Sequence, residues 1–204
     1  MSLKFAGALG GAAAASTGAY GIYHLSSSKP TETIRSKLEA HFKGTNTIFL
    51  ESGHEEWSKL SDWYSKAQNK PKKDDGASSL DLSEVKIWCS EKVSREFKSD
   101  TDSLYQQVKN FCFLNVNTLL KESGKSSLRS SQSAEHQDWK NAWTSYNSDS
   151  SKESKGLKIS DLSVNVNEEV AGGKAMHAWC TATKDKKMYD SESLFSAFKA
   201  WCLK

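Results

Sequence analysis

The chain has 204 residues, a formal net charge of +3 and 37% hydrophobic side chains. Its 28 basic residues are nearly balanced by 25 acidic ones, and this balance excludes a polycation that binds nucleic acid through net charge alone. The 33 serines indicate long polar connections, whereas the seven tryptophans exclude a chain that is disordered throughout.

The first 28 residues form an apolar segment that predicts contact with a membrane. Residues 5–25 contain no Asp, Glu, Lys or Arg, and 12 of these 21 positions are Gly or Ala. As a helix this stretch spans about 31 Å, which matches one hydrocarbon core. We favour an uncleaved transmembrane anchor, flanked by Lys4. The alternatives are a signal peptide cut near residues 13–15 and a Gly/Ala-rich terminus that stays in water, and the Ser-rich residues 26–30 predict a linker.

Four blocks of sequence recur in the same order, and this order predicts a duplicated unit. We therefore expect helical repeat unit 1 at residues 29–99 and helical repeat unit 2 at residues 100–190. A C-terminal helix at residues 191–204 repeats the start of a unit and is expected to cap the array. The matched blocks are 53–64 with 135–146, 46–52 with 117–123, 88–89 with 179–180, and 103–112 with 193–202.

Apolar residues recur at intervals of three and four positions in both units, which predicts amphipathic helices packed on one side. Residues 162–166 alternate between apolar and polar side chains and predict one short strand. The glycines in residues 171–173 predict a helix break. The predicted fold class is therefore all-α with one minor strand. The helical stripes are Ile34, Leu38 and Phe42; Trp57, Leu60 and Tyr64; Leu82, Val85 and Cys89; Leu104, Val108 and Phe111; Trp139, Ala142, Trp143 and Tyr146; and Leu194, Phe198 and Trp201.

The four cysteines occupy equivalent places in the two units. Cys89 and Cys112 are one candidate disulfide, and Cys180 and Cys202 are the other. In an oxidising exterior, each bridge would stabilise the fold by about 3 kcal/mol. The alternative is four buried thiols, because three of the cysteines directly follow a Trp on an apolar face. We favour disulfides, although four cysteines allow three pairings. The spacing argues against zinc, since no Cys-x-x-Cys pair is present.

No nucleotide-binding, serine-hydrolase or zinc-protease motif occurs in the sequence, so we predict a non-enzymatic protein without cofactor or metal. The recurring polar groups are the segments 54–56, which reads His-Glu-Glu, and 136–138, which reads His-Gln-Asp. An imidazole beside a carboxylate suits acid–base catalysis. Because each segment directly precedes a Trp, we interpret both as helix N-termini, where acidic side chains interact favourably with the helix dipole.

Most of the seven tryptophans lie on helical stripes, which predicts a role in core packing. Trp63 and Trp143 have no counterpart in the other unit. Aromatic anchors dominate the energetics of interfaces. We therefore predict that Trp63 and Trp143 are exposed and belong to a binding surface.

Together these features resemble a known group of proteins. A Gly/Ala-rich apolar N-terminus precedes tandem units, and each unit has an acidic helix start before a Trp and a closing Trp-Cys pair. In this respect the chain resembles, over nearly its whole length, the expanded paralogous protein families of haemotropic mycoplasmas. The resemblance implies a membrane-anchored surface protein of a wall-less, blood-cell-associated bacterium, and it implies no catalytic residues.

These observations together predict a non-enzymatic protein held in the cell membrane by its N-terminal segment, with an extracellular ectodomain. The expected partners are the membrane and a host protein or antibody, with no nucleic acid. Secretion after signal cleavage is the alternative location. An intracellular helical adaptor with reduced cysteines is the alternative function.

Overall fold

The computed structural model describes residues 31–73, 75–160, 162, 164 and 167–204. Within these residues the chain is mostly helical and contains one short two-stranded antiparallel sheet, so the prediction of a mainly helical fold is confirmed. The predicted N-terminal anchor lies outside the described residues. So does most of the strand predicted at residues 162–166, of which the two described residues are not in a strand. No helix in the described part of the chain is long and apolar enough to cross a membrane.

Residues 31–115, called here the first half, begin their longer helices at side-chain caps. Thr33 and Asp81 each form a capping box with the residue three positions on, and the Asp102 carboxylate accepts the N–H of Tyr105. Such caps satisfy N–H groups that a helix start leaves without an intrahelical partner. The elements are α1 (Ile34–His41), β1 (Thr47–Phe49), a 3₁₀ helix (Glu55–Lys59), α2 (Ser61–Lys66), α3 (Leu82–Lys92), α4 (Ser103–Cys112) and β2 (Phe113–Asn115).

In residues 116–204, called here the second half, the regular elements that the structure describes are helices. Thr118 caps the first of these helices with its hydroxyl, which accepts the N–H of Lys121. A 3₁₀ turn at Glu192–Leu194 joins the last two helices. The elements are α5 (Leu119–Glu122), α6 (Gln137–Ser148), α7 (Glu169–Thr183), α8 (Met188–Ser191) and α9 (Phe195–Cys202).

Helix α7 runs without interruption through Gly172 and Gly173, so the predicted helix break is wrong. A Cβ added at Gly172 would clash with the indole ring of Trp143, and one at Gly173 would lie 3.0 Å from the backbone nitrogen of Lys140. Glycine inside a helix costs about 1 kcal/mol relative to alanine. Here that cost is offset by the close approach of α6 and α7, which only glycine permits.

The sheet joins two distant parts of the first half. Residues 47–49 pair antiparallel with residues 113–115, and Ile48 lies opposite Leu114. The next backbone bond, from Leu50 N–H to Cys112 O at 2.8 Å, continues the pairing. The block match of 46–52 with 117–123 is therefore wrong, because the first segment forms a strand and the second caps and begins a helix.

The structural counterpart of α5 is α1. An isolated backbone bridge joins Thr33 to Glu96, and another joins Thr118 to Lys187. The amide of the first helical residue donates to the carbonyl of Arg95 in one half and of Lys186 in the other, at 2.9 Å in both. The same backbone arrangement therefore opens both halves.

Buried side chains form two clusters, which divide the chain between Leu114 and Leu119. The predicted unit boundary between residues 99 and 100 would instead separate α4 from the core that it completes, since Val108 and Phe111 lie in the first cluster. Helix α9, which is predicted to cap the array, contributes the fully buried Phe198 to the second cluster. The last helix of each half, α4 or α9, packs its buried apolar stripe into the core formed by the residues that precede it. For this reason α4 belongs to the first half, and the boundary between the halves lies after it.

An aromatic contact recurs in both cores. Tyr64 meets Phe111 edge to face at 5.8 Å, and Tyr146 meets Trp201 in the same way at 5.4 Å. A lysine ammonium lies over each tyrosine ring, at 4.9 Å in the first half and 5.2 Å in the second. Each tyrosine hydroxyl also donates to a backbone carbonyl, at 2.7 Å and 3.4 Å respectively. The two cores thus share a specific packing pattern.

Candidate binding cleft

Each half contains one disulfide between its Trp-Cys helix and its last helix. Cys89 of α3 is bonded to Cys112 of α4 with a Cα–Cα distance of 5.6 Å, and Cys180 of α7 is bonded to Cys202 of α9 with a distance of 5.5 Å. These are the pairs that the sequence analysis favours. All four residues are fully buried. The bridges therefore lie inside the two cores.

The two histidines of the recurring polar segments act as helix caps. His54 Nδ1 accepts the backbone N–H of Glu56 at 3.1 Å, and His136 Nδ1 accepts that of Asp138 at 3.2 Å. These bonds occupy the imidazole lone pair that a general base would use. The arrangement supports the interpretation of both segments as helix starts.

The two tryptophans predicted to be exposed differ in their surroundings. Trp143 is only 2% exposed, and its ring stacks on Tyr146 at 5.7 Å in the second core. The prediction for Trp143 is wrong because its ring fills the space left above Gly172, which the sequence of one helix does not reveal. Trp63 is partly exposed, and it borders a cleft.

This cleft, called here the junction cleft, has a volume of about 360 Å³ and is lined by residues of both halves. Its lining combines three kinds of side chain. Phe113, Leu114 and Met188 are buried apolar residues. The aromatic rings of Trp63 and Tyr189 are partly exposed. The polar and charged side chains of the lining are His41, Thr47, Lys109, Asn110, Asn115 and Glu192.

The aromatic rings of the junction cleft are held in place by ring contacts, one of which joins the two halves. Trp63 on α2 meets Tyr189 on α8 edge to face, with ring centroids 5.7 Å apart. Trp63 also contacts Phe111 at 5.9 Å. On the α1 side, Phe42 stacks on Phe113 at 5.8 Å. Such contacts fix the orientation of ring faces before any ligand arrives.

A buried carboxylate anchors Tyr189. Glu56, whose side chain is 3% exposed, accepts the Tyr189 hydroxyl at 3.2 Å and pairs with Lys187 Nζ at 3.4 Å. Lys59 lies 3.3 Å from the same carboxylate, on its own 3₁₀ helix. Lys187 also donates to the carbonyl of Val116 at 2.8 Å. The network joins the first half to the second half, and it shares Tyr189 with the lining of the junction cleft.

The protonation states of this network are set by its geometry. Burial raises the pKa of Glu56, but hydrogen bonds and charge interactions with Lys59 and Lys187 outweigh burial, so the pKa is lowered overall. Burial, together with the charge of Glu56 and the hydrogen bond to it, raises the pKa of Tyr189. At neutral pH the carboxylate is therefore ionised and the phenol is protonated, which fixes the direction of the hydrogen bond between them.

Lys109 and Glu192 bring opposite charges to the junction cleft. Lys109 lies on α4 of the first half, and Glu192 directly follows α8 in the second half. Among the described residues, neither side chain forms an ion pair or a hydrogen bond. The cleft thus contains one positive and one negative side chain, and neither is paired with another described residue.

Sequence reasoning located Trp63 but missed Tyr189, Glu56 and Lys187 as neighbours. Glu56 carries the signal of a helix start, and Tyr189 lies in a segment without helical periodicity. Their association depends on contacts between residues more than 130 positions apart. In the part of the chain that the structure describes, no group of three or more His, Cys, Asp or Glu side chains is placed to hold a metal ion.

Comparisons of the chain with protein-family models, with curated proteins and with solved structures find no significant match.

Proposed function

We propose that the chain is a non-enzymatic surface protein whose two duplicated helical units lie outside the cell and bind a partner through the junction cleft. The observation that carries this proposal is the pair of buried disulfides at equivalent places in the two halves. Disulfides persist in oxidising compartments and are rare where glutathione keeps thiols reduced. The two bridges therefore support a location outside the cytoplasm.

The duplication is supported by contacts that recur in both halves. Each half opens with a threonine-capped helix, places an edge-to-face aromatic pair in its core, and bonds its Trp-Cys helix to its last helix. We infer two units, one ending near residue 115 and the other beginning near residue 116. The junction between them forms the cleft, so duplication itself would have created the binding site.

The membrane attachment rests on the sequence of residues 1–28, whose apolar stretch has the length of a membrane span. The resemblance of the sequence to the paralogous protein families of haemotropic mycoplasmas implies the same arrangement. In this proposal the ectodomain contacts a host component or is exposed to antibody. The absence of enzymatic activity is supported by His54 and His136, whose Nδ1 atoms serve as helix caps.

Labelling of intact cells tests the location. Cells that make the chain are treated with a membrane-impermeant biotin ester, which reacts with exposed lysine ammonium groups. We expect biotinylated peptides from residues 31–204, while a cytoplasmic protein of the same cells stays unlabelled. Labelling that appears only after lysis would overturn the proposal and favour the intracellular adaptor. Labelled chain in the culture medium, cut near residues 13–15, would favour secretion.

A further inference from the structure

We propose that the junction cleft binds phosphocholine, a zwitterionic head group with a quaternary ammonium at one end and a phosphate at the other. The proposal rests on the proposed role of the cleft as the binding site, but not on the location of the protein. It names the chemistry of the ligand, which occurs both as a free molecule and as the head group of a lipid.

The size of the cleft favours a small ligand. Small-molecule sites in proteins range over about 300–1,000 Å³, and the junction cleft, at about 360 Å³, lies at the lower end. Its lining is divided between apolar and polar side chains rather than dominated by either. A compact ligand with an apolar surface and charged ends suits this lining better than a long hydrocarbon or a large planar ring.

The partly exposed aromatic rings favour a cation that donates no hydrogen bonds. Quaternary ammonium groups are recognised by the faces of Trp and Tyr rings through cation–π attraction. Trp63 and Tyr189 both line the cleft and meet edge to face at an interplanar angle of 69°, so part of one ring face is covered by the edge of the other ring and the remaining ring surface can face a ligand. The hydrogen bond from Tyr189 to Glu56 holds the Tyr189 ring in place. The free carboxylate of Glu192 adds negative charge at the same cleft.

The lining also contains cationic and neutral hydrogen-bond donors, which favour a ligand whose other end is a phosphate. The Lys109 ammonium, the Asn110 amide and the His41 imidazole all belong to the cleft, and each can donate to a phosphate oxygen. Among the described residues, Lys109 has no carboxylate partner within 4.0 Å that would compete. A zwitterion therefore supplies a partner for Lys109 and for Glu192 at once, which is electrostatic complementarity of the kind that gives specificity.

The test is calorimetric titration of the full chain, with both disulfides intact and in a nonionic detergent. The probes are phosphocholine, phosphoethanolamine, choline and inorganic phosphate. We expect phosphocholine to bind about tenfold more tightly than phosphoethanolamine, because only the quaternary ammonium makes the cation–π contact without losing hydrogen bonds to water. Absence of binding by phosphocholine, or equal affinity for phosphoethanolamine, would overturn the proposal.

Variants of the lining connect the binding to the cleft. Trp63→Ala is expected to weaken phosphocholine binding about tenfold, and Trp88→Ala, which removes a partly buried Trp outside the cleft, is its control. Because Trp63 also packs against Phe111, Lys109→Glu, at a partly exposed side chain, and Glu192→Gln, at an exposed one, provide tests that replace no residue of the apolar core. Each is expected to weaken binding about threefold, whereas Lys121→Glu leaves it unchanged. Unchanged affinity in Lys109→Glu and Glu192→Gln would contradict the assignment.

Vesicles distinguish the two sources of the head group. The chain is mixed with preformed vesicles of phosphatidylcholine or of phosphatidylglycerol and recovered by flotation. Preferential recovery with phosphatidylcholine that free phosphocholine abolishes assigns a lipid source. Equal recovery with both vesicles, together with calorimetric binding of phosphocholine, assigns the free head group or a polymer that carries it. Preference for phosphatidylcholine that persists in Lys109→Glu and Trp63→Ala would contradict a role for the cleft.

Discussion

The hydroxyl of Tyr189 donates a hydrogen bond to the buried carboxylate of Glu56 across 3.2 Å, and this bond links the second half of the chain to the first. The same carboxylate pairs with Lys187 from the second half and Lys59 from the first. A buried carboxylate without such partners would carry a large desolvation penalty. The network therefore favours one arrangement of the two halves, and it places Tyr189 beside Trp63.

Replacement of Glu56 by glutamine is expected to lower the free energy of unfolding by about 2 kcal/mol, because two ammonium groups and a phenol lose their charged acceptor. Urea unfolding followed by far-UV circular dichroism measures the change. Glu55→Gln is the matched control, since the Glu55 side chain is 84% exposed, and it should alter stability by less than about 0.5 kcal/mol. Equal effects of the two changes would show that the network does not stabilise the fold.

The Glu56 network also predicts a pH dependence. The pKa of Glu56 is lowered in the folded chain from its ordinary value of 4.5, so its ionised form is favoured by folding. The corresponding stability is fully present above pH 4.5 and is lost as the pH falls through the lowered pKa. The difference in urea midpoint between the wild type and Glu56→Gln should thus narrow as the pH falls below 4.5. If the difference in urea midpoint did not change with pH, the stabilisation by Glu56 would come from packing rather than from its charge.

Replacement of Gly172 by alanine tests the close packing of α6 and α7. Alanine raises helix propensity by about 1 kcal/mol, but the added methyl group meets the Trp143 ring, and overpacking of this kind typically costs about 1–3 kcal/mol. We expect net destabilisation in thermal unfolding. Gly53→Ala is the control, since nothing lies near its added Cβ. Combining Gly172→Ala with Trp143→Leu should show a favourable coupling between the two sites, and strictly additive effects would contradict the predicted clash.

The two disulfides are expected to stabilise the fold by similar amounts. They close loops with sequence separations of 23 and 22 residues, and a loop of that length predicts about 3 kcal/mol for each bridge. The double variants Cys89→Ala/Cys112→Ala and Cys180→Ala/Cys202→Ala should therefore lower the free energy of unfolding equally. A reducing agent should then weaken the wild type and leave the chain that lacks all four cysteines unaffected. A neutral result for either pair would contradict a structural role for that bridge.

The features predictable from the sequence are those that depend on local spacing or on repetition. Three- and four-residue periodicity locates the stripes of α1, α3, α4, α6 and α9, and the equivalent places of the cysteines in both units, 23 and 22 residues apart, favour the pairs that the structure contains. The predictions for Trp143 and Gly172 are wrong for a common reason. Each rests on the sequence of a single helix, whereas the surroundings of both residues depend on the contact between α6 and α7.

The sheet and the cleft could not be predicted, because both depend on contacts between distant segments. Strands β1 and β2 have three residues each and pair across more than 60 positions, so neither shows a pattern of its own. The match of residues 46–52 with 117–123 failed because an Asn-Thr pair followed by an apolar residue is compatible with a strand and with a helix start. The cleft needs Trp63, Lys109 and Tyr189 together, and only the docked halves provide that arrangement.

The measurement that tests the central claim most directly is a thiol count on the protein from the cells that make it. Maleimide labelling is performed under denaturing conditions before and after reduction, and the modified peptides are mapped. We predict no labelling before reduction, with linked peptides that join Cys89 to Cys112 and Cys180 to Cys202. Four labelled thiols without reduction would contradict an extracytoplasmic location and would make the intracellular adaptor the better account.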